Sequence, residues 1–228
     1  MKTGRWKTIL AVVCSSALAL SVGIVAVGVS LDHLRRWQAE RLLAALDQIT
    51  VGVTDRATAM RILSPFQKHR TDDPDEGFRR WIFEYYNAYL YRMHIAPYPD
   101  TVVIVSLDFD RDVVEQKYAS VFSSPGIYAS ISESKRGFGY LDGKVTCETP
   151  THTAYPSWYS RTELDRIIIH DDDSYDRKER EKDWAISLSC MTRIGGCSDA
   201  RSIMPLALPL SATSDTSQRE LKFADGCK

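Results

Sequence analysis

From Thr8 to Leu31 the chain reads TILAVVCSSALALSVGIVAVGVSL, 24 residues without one charge. No other feature limits the fold so strongly. At about 1.5 Å of rise per residue, such a segment spans a hydrocarbon core of about 30 Å with some tilt. A lone helix can do so because it satisfies its own backbone hydrogen bonds in lipid. A cleaved leader would carry a shorter apolar stretch of about 7–15 residues, although Ala26-Val27-Gly28 also fits a small-x-small cleavage pattern. A lipoprotein signal needs a small residue before its cysteine, and Cys14 follows Val13. Residues 1–31 are therefore read as an uncleaved signal-anchor, the single membrane span of the chain.

Sidedness rests on two observations. Lys2, Arg5, Lys7 and the amino terminus outweigh Arg35, Arg36 and Arg41 by a small margin, which keeps the N-terminus cytoplasmic. Cys190 and Cys197 flank Met-Thr-Arg-Ile-Gly-Gly, whose two glycines allow a sharp bend. That spacing does not match the paired C-x-x-C of zinc sites, and no histidine is near in sequence. A Cys190–Cys197 disulfide is expected, worth about 2 kcal/mol for so short a loop. It implies an oxidising, periplasmic-type compartment. Whether Cys147 and Cys227 also pair stays open, as does the alternative of free thiols in a cytoplasmic domain.

Net charge bears on partners. Setting aside Lys2, Arg5 and Lys7 leaves 26 basic against 30 acidic side chains, without a basic stripe. Nucleic acid is excluded on that ground, because phosphate neutralisation supplies most of such affinity.

Beyond the anchor, Leu34, Trp37, Leu42, Ala45, Leu46 and Ile49 recur at helical spacing, so the membrane helix is expected to continue outward to Ile49. Thr54 is expected to cap a short helix over 55–63, stopped by Pro65. The Gly52-Val53-Thr54 turn running into that helix resembles a module of the small outer-membrane assembly lipoproteins. The likeness covers that turn and helix alone and implies no activity.

Strands are predicted over 80–86, 101–109, 113–122 (the hairpin partner of the preceding strand), 127–134, 164–170 and 184–190, from β-branched and alternating apolar residues. A helical turn is predicted over 88–94. Residues 135–165 read as a long connection with a short strand near Val145, and 173–182 as a helix or exposed turn. Ser198 is expected to cap a last short helix. The class is α+β: an N-terminal transmembrane helix continuing into a juxtamembrane helix, then a mainly antiparallel sheet with short helices. The soluble domain is assigned to residues 32–210 and a Ser/Thr-rich flexible tail to 211–228.

Three motifs were weighed as chemistry. Asp108, Asp110 and Asp112 alternate and would share one face of an extended chain. A calcium loop, however, needs glycine and a carboxylate where Val113 and Ala119 stand. A charged hairpin turn explains them better. His170-Asp171-Asp172-Asp173 carries metal-type ligands, yet neighbours on a strand point to opposite faces, so at most two reach one ion. Ser132 and Lys135 have the S-x-x-K spacing of acyl transferases, but a strand sends them to opposite faces, where that chemistry needs a helix start. No catalytic residue, metal site or cofactor is assigned.

The densest aromatic group is Trp81, Phe83, Tyr85, Tyr86, Tyr89, Tyr91 and Tyr98. Trp81, Tyr85, Tyr86 and Tyr89 are taken as a candidate binding surface, because tyrosine and tryptophan are enriched at interfaces. The competing reading is ordinary core. The function expected is a non-catalytic, membrane-anchored extracytoplasmic binding or scaffolding domain with an envelope protein or glycan as partner. The rival is a metal-assisted hydrolase built on the aspartate clusters.

Overall fold

The uncharged run and the juxtamembrane segment form one helix, α1 (Thr3–Leu46), 44 residues long. Through Val27 its side chains are exposed all round, Leu10, Leu18 and Leu20 among them, a surface suited to lipid and not to water. It is long and apolar enough to cross a membrane. Three of its serine hydroxyls are satisfied within the helix: Ser15, Ser21 and Ser30 donate to the carbonyls of Val12, Ala17 and Ala26. From Gly28 onward one face becomes buried, and Ala39, Leu42, Leu43 and Leu46 enter the protein core at i, i+3, i+4, i+7 spacing.

The computed structural model describes residues 3–71, 79–95, 101–123, 126–135, 139–141, 144–146, 152–158, 164–172, 176–193 and 196–207. Cys147, Cys227, Tyr98, Asp173 and the tail over 211–228 lie outside them. After α1 come α2 (Arg56–Leu63), β1 (Arg80–Asn87), α3 (Tyr89–Arg92), β2 (Thr101–Asp110), β3 (Val113–Ser123) and β4 (Ile127–Ser134). Then follow β5 (Gly139–Leu141), β6 (Lys144–Thr146), β7 (His152–Trp158), β8 (Leu164–Asp172) and α4 (Arg177–Asp183). Six strands make one sheet in the order β1-β2-β3-β4-β8-β7, antiparallel except for the β4–β8 pair. The class is α+β, as the sequence predicts.

Strand alternation separates the faces. Trp81, Phe83 and Tyr85 of β1, Val103, Val105 and Leu107 of β2, Ile131 of β4 and Ile167 and Ile169 of β8 point to the core. There they meet the outer half of α1, Leu63 of α2, and Phe66 in a 3-10 turn over Ser64–His69. The β2–β3 hairpin closes through Arg111 and Asp112, both at positive φ (46° and 73°), the backbone of a two-residue type I′ turn. Cys190 and Cys197 are joined, with Cα atoms 5.0 Å apart, inside the limit of about 7 Å for a bridge.

Four local expectations are corrected. Asp55, not Thr54, caps α2, its carboxylate accepting the Thr58 N–H at 2.6 Å, while Thr54 Oγ1 accepts from Thr50 N–H. Asp199 rather than Ser198 caps the last turn, accepting from Arg201 N–H at 2.8 Å. Residues 184–190 are not a strand: the alternating side chains fold over the sheet, and the backbone turns locally or bonds to Ile203. Conversely β7 arises inside the expected connection. Pro156 argues against a strand interior, but β7 is an edge strand, where a missing N–H is tolerated.

A buried ionic group completes the core. Lys117, Glu133 and Asp171 occupy one row across β3, β4 and β8, all on the core face. Lys117 Nζ lies 2.9 Å from Glu133 and donates to the Ile49 carbonyl at 3.3 Å, with the Trp184 ring 4.7 Å away. Arg180 of α4 bonds the other oxygen of Glu133.

Candidate functional site

The sheet's β1 edge is where the aromatic group divides. Because successive residues alternate, Trp81 and Tyr85 lie in the core, 1% and 2% exposed, while Tyr86 is 51% exposed on the opposite face. Tyr89 follows on α3. The four candidate residues therefore do not form one surface. Tyr86 and Tyr89 line a cleft of about 270 Å³ with Arg35, His69, Glu84, Ala88 and Arg92.

Four elements build this cleft. Arg35 comes from α1, one turn beyond the uncharged run. His69 ends the Ser64–His69 turn, and its ring packs on Tyr85 with centroids 4.3 Å apart. β1 and α3 supply the rest. Asp32 locks α3 in place: its buried carboxylate accepts the Tyr89 and Leu90 N–H groups, each at 3.1 Å. Burial raises the pKa of Asp32, and the Leu90 and Tyr89 bonds oppose that rise.

Charge in the cleft is uneven. Among the described residues, the side chains of Arg35 and Arg92 have no hydrogen bond or ion pair, unlike Arg36, Arg56 and Arg80, which pair with Glu40, Asp112 and Asp108. The one acid, Glu84, accepts the Tyr86 hydroxyl at 2.5 Å. Behind the mouth, His69 Nε2 and Tyr85 Oη are buried without a partner. Burial, with Arg35 and Lys68 nearby, lowers the His69 pKa. Burial pushes the Tyr85 hydroxyl up to about 12, so it stays a proton donor. A polar, anionic guest would find two guanidinium groups that are unclaimed among the described residues. Sequence reasoning named Tyr86 and Tyr89 but missed Arg35, His69 and Arg92, which long-range packing brings together.

The metal-type motifs separate. Arg80 holds Asp108 through two bonds of 2.6 and 3.0 Å, and Arg56 holds Asp112 at 3.0 Å. Asp108 and Asp172 share a register row through Gln116 and Ser134, three strand spacings of about 4.8 Å apart, so the two clusters make no common cage. Among the described residues no group of three or more His, Cys, Asp or Glu could hold a metal ion.

Ser132 meets His170, not Lys135. They are register partners on β4 and β8, and Ser132 Oγ and His170 Nδ1 share a hydrogen bond on the sheet face away from the core. Asp171 points to the core face, so it does not complete a triad from the next position. Burial lowers the His170 pKa, and Asp171 partly opposes this. The folded state thus binds fewer protons than the unfolded chain below the ordinary imidazole value of 6.5, and stability falls as pH drops through that window. The thermal midpoint of the full chain in detergent should decline from pH 7.5 to 5.5, with a shallower decline in His170→Gln. Parallel curves for the two proteins would refute the assignment.

In comparisons with known proteins, no family model matches the chain, and no match is found among curated proteins or solved structures.

Proposed function

We propose that this chain is a single-pass, signal-anchored binding domain whose soluble part lies in an oxidising, extracytoplasmic compartment. The observation that carries the reading is the cleft beside the anchor, where Tyr86 and Tyr89 stand with two arginines that are unpaired among the described residues and with His69, whose buried Nε2 has no partner among them. Built polar sites of that kind mark ligand pockets. The Cys190–Cys197 bridge supports the compartment, because disulfides persist where the milieu is oxidising. The uninterrupted α1 supports an anchor that stays attached.

Three readouts test this. The protein should resist extraction from membranes by carbonate or high salt. A reporter fused after Lys228 should be active only outside the cytoplasm. Cys190 and Cys197 should resist alkylation in intact envelopes until reduced. A soluble form lacking the first 28 or so residues, the length at which a leader would be cut, would overturn the anchor. A cytoplasmic reporter signal would overturn the sidedness.

A further inference from the structure

We propose that the cleft binds the phosphate of an anionic lipid headgroup in the leaflet from which the domain emerges, an inference that rests on the anchored reading above. Depth is the first argument. Gly28, three residues inside the uncharged run, is buried against α3: a Cβ there would meet Met93 Cε and Sδ at 2.5 Å. With about 1.5 Å per residue, Met93 sits about 5 Å below the end of the run, and Arg35 about 6 Å above it. The headgroup zone on each side of the hydrocarbon core is about 5–8 Å thick. Arg35 therefore stands at the level of lipid phosphates, and Arg92 of α3 lines the same cleft. Tyr86, Tyr89 and the exposed Tyr91 suit the same depth, where amphipathic rings collect.

Chemistry is the second argument. Guanidinium forks match phosphate oxygens in pairs, and among the described residues no carboxylate holds these two. Of the described acids beside them, Glu84 accepts the Tyr86 hydroxyl and Asp32 accepts two backbone N–H groups. His69, on the lining, has a buried Nε2 without a hydrogen-bond partner among the described residues. A cleft of about 270 Å³ has room for a phosphate with a small alcohol attached.

Native mass spectrometry on the full-length protein in detergent tests this, with short-chain phosphatidylglycerol, short-chain phosphatidylcholine and inorganic phosphate as probes. One phosphatidylglycerol should be retained at least tenfold more tightly than phosphatidylcholine. Arg35→Gln with Arg92→Gln should weaken it at least tenfold, while Arg61→Gln, an exposed charge on α2, should not. Arg92→Gln alone, at an exposed position, keeps the test valid if the double variant loses its fold. Equal retention of both lipids, or indifference to the arginine variants, overturns the proposal. Inorganic phosphate bound as well as the lipid, through the same arginines, assigns the cleft to a soluble anion and overturns the lipid source. Loss of lipid binding in a chain that still resists carbonate extraction leaves the anchored binding domain standing.

Discussion

Glu133→Ala should cost the domain about 3–5 kcal/mol, the range for removing one partner of a buried ionic group. Glu133 is 3% exposed and holds Lys117 on one oxygen and Arg180 on the other. Its removal leaves a lysine, itself 7% exposed, with the Ile49 carbonyl, a tryptophan face and the more distant charge of Asp47 as its remaining partners. Against a total stability of about 5–15 kcal/mol for a domain, that loss brings the protein near its unfolding threshold. Urea denaturation of the full chain in detergent, followed by tryptophan emission, measures it, and Trp184 over Lys117 is a local reporter. Replacing Lys117, Glu133 and Arg180 together by apolar residues of similar volume should recover most of the loss, since the cost arises from unpaired charge. A Glu133→Ala protein within about 1 kcal/mol of the parent would show that the group is solvated and the network unimportant.

The second large effect concerns where the domain begins. A chain started at Gly28 should fold without the anchor, because the exposed helix before Gly28 contributes nothing to the core. A chain started at Asp47 should not. It would lack Ala39, Leu42, Leu43 and Leu46, which cap the sheet's core face. Each buried leucine is worth about 1.5–3 kcal/mol, so their sum is comparable with the whole stability of a domain. Circular dichroism melting distinguishes the two: a cooperative transition is expected for the first chain and none for the second. Leu42→Ala in the longer chain should cost about 2–5 kcal/mol. Cooperative melting of the chain from Asp47 would mean that the outer half of α1 is a stalk and not part of the fold.

How far the sequence could be read varies along the chain. The anchor, the β2–β3 hairpin and the disulfide were legible because each depends on residues close together. In the SISES end of β4 more was legible than was used. Ile127, Ala129 and Ile131 set the apolar phase, so Glu133 had to point inward, and Lys117 does so in phase with Ala119 and Val121. Opposite charges in phase on adjacent core strands signal a buried pair. The alternation of 184–190 misled because Trp184, Ile186 and Leu188 pack against the core from a segment that pairs with no strand. The cleft was half legible: tyrosine density marked its rim, but no local pattern places Arg35 and His69 beside Arg92. That juxtaposition is fixed by Asp32 gripping α3 and by His69 stacking on Tyr85.

The continuity of α1 also sets how the domain meets its surroundings. No linker separates the membrane-crossing half of the helix from the half that is core, and Asp32 to Leu46 at about 1.5 Å per residue is only about 22 Å. A domain on a flexible tether sweeps a volume and can capture targets well away from its attachment point. Under the anchored reading proposed above, this domain is mounted rigidly, moving by lateral diffusion, rotation about the helix axis and whatever tilt the bilayer allows. Its encounters are confined to a shallow layer over the lipid, so a partner must itself come down to the membrane surface or already reside there.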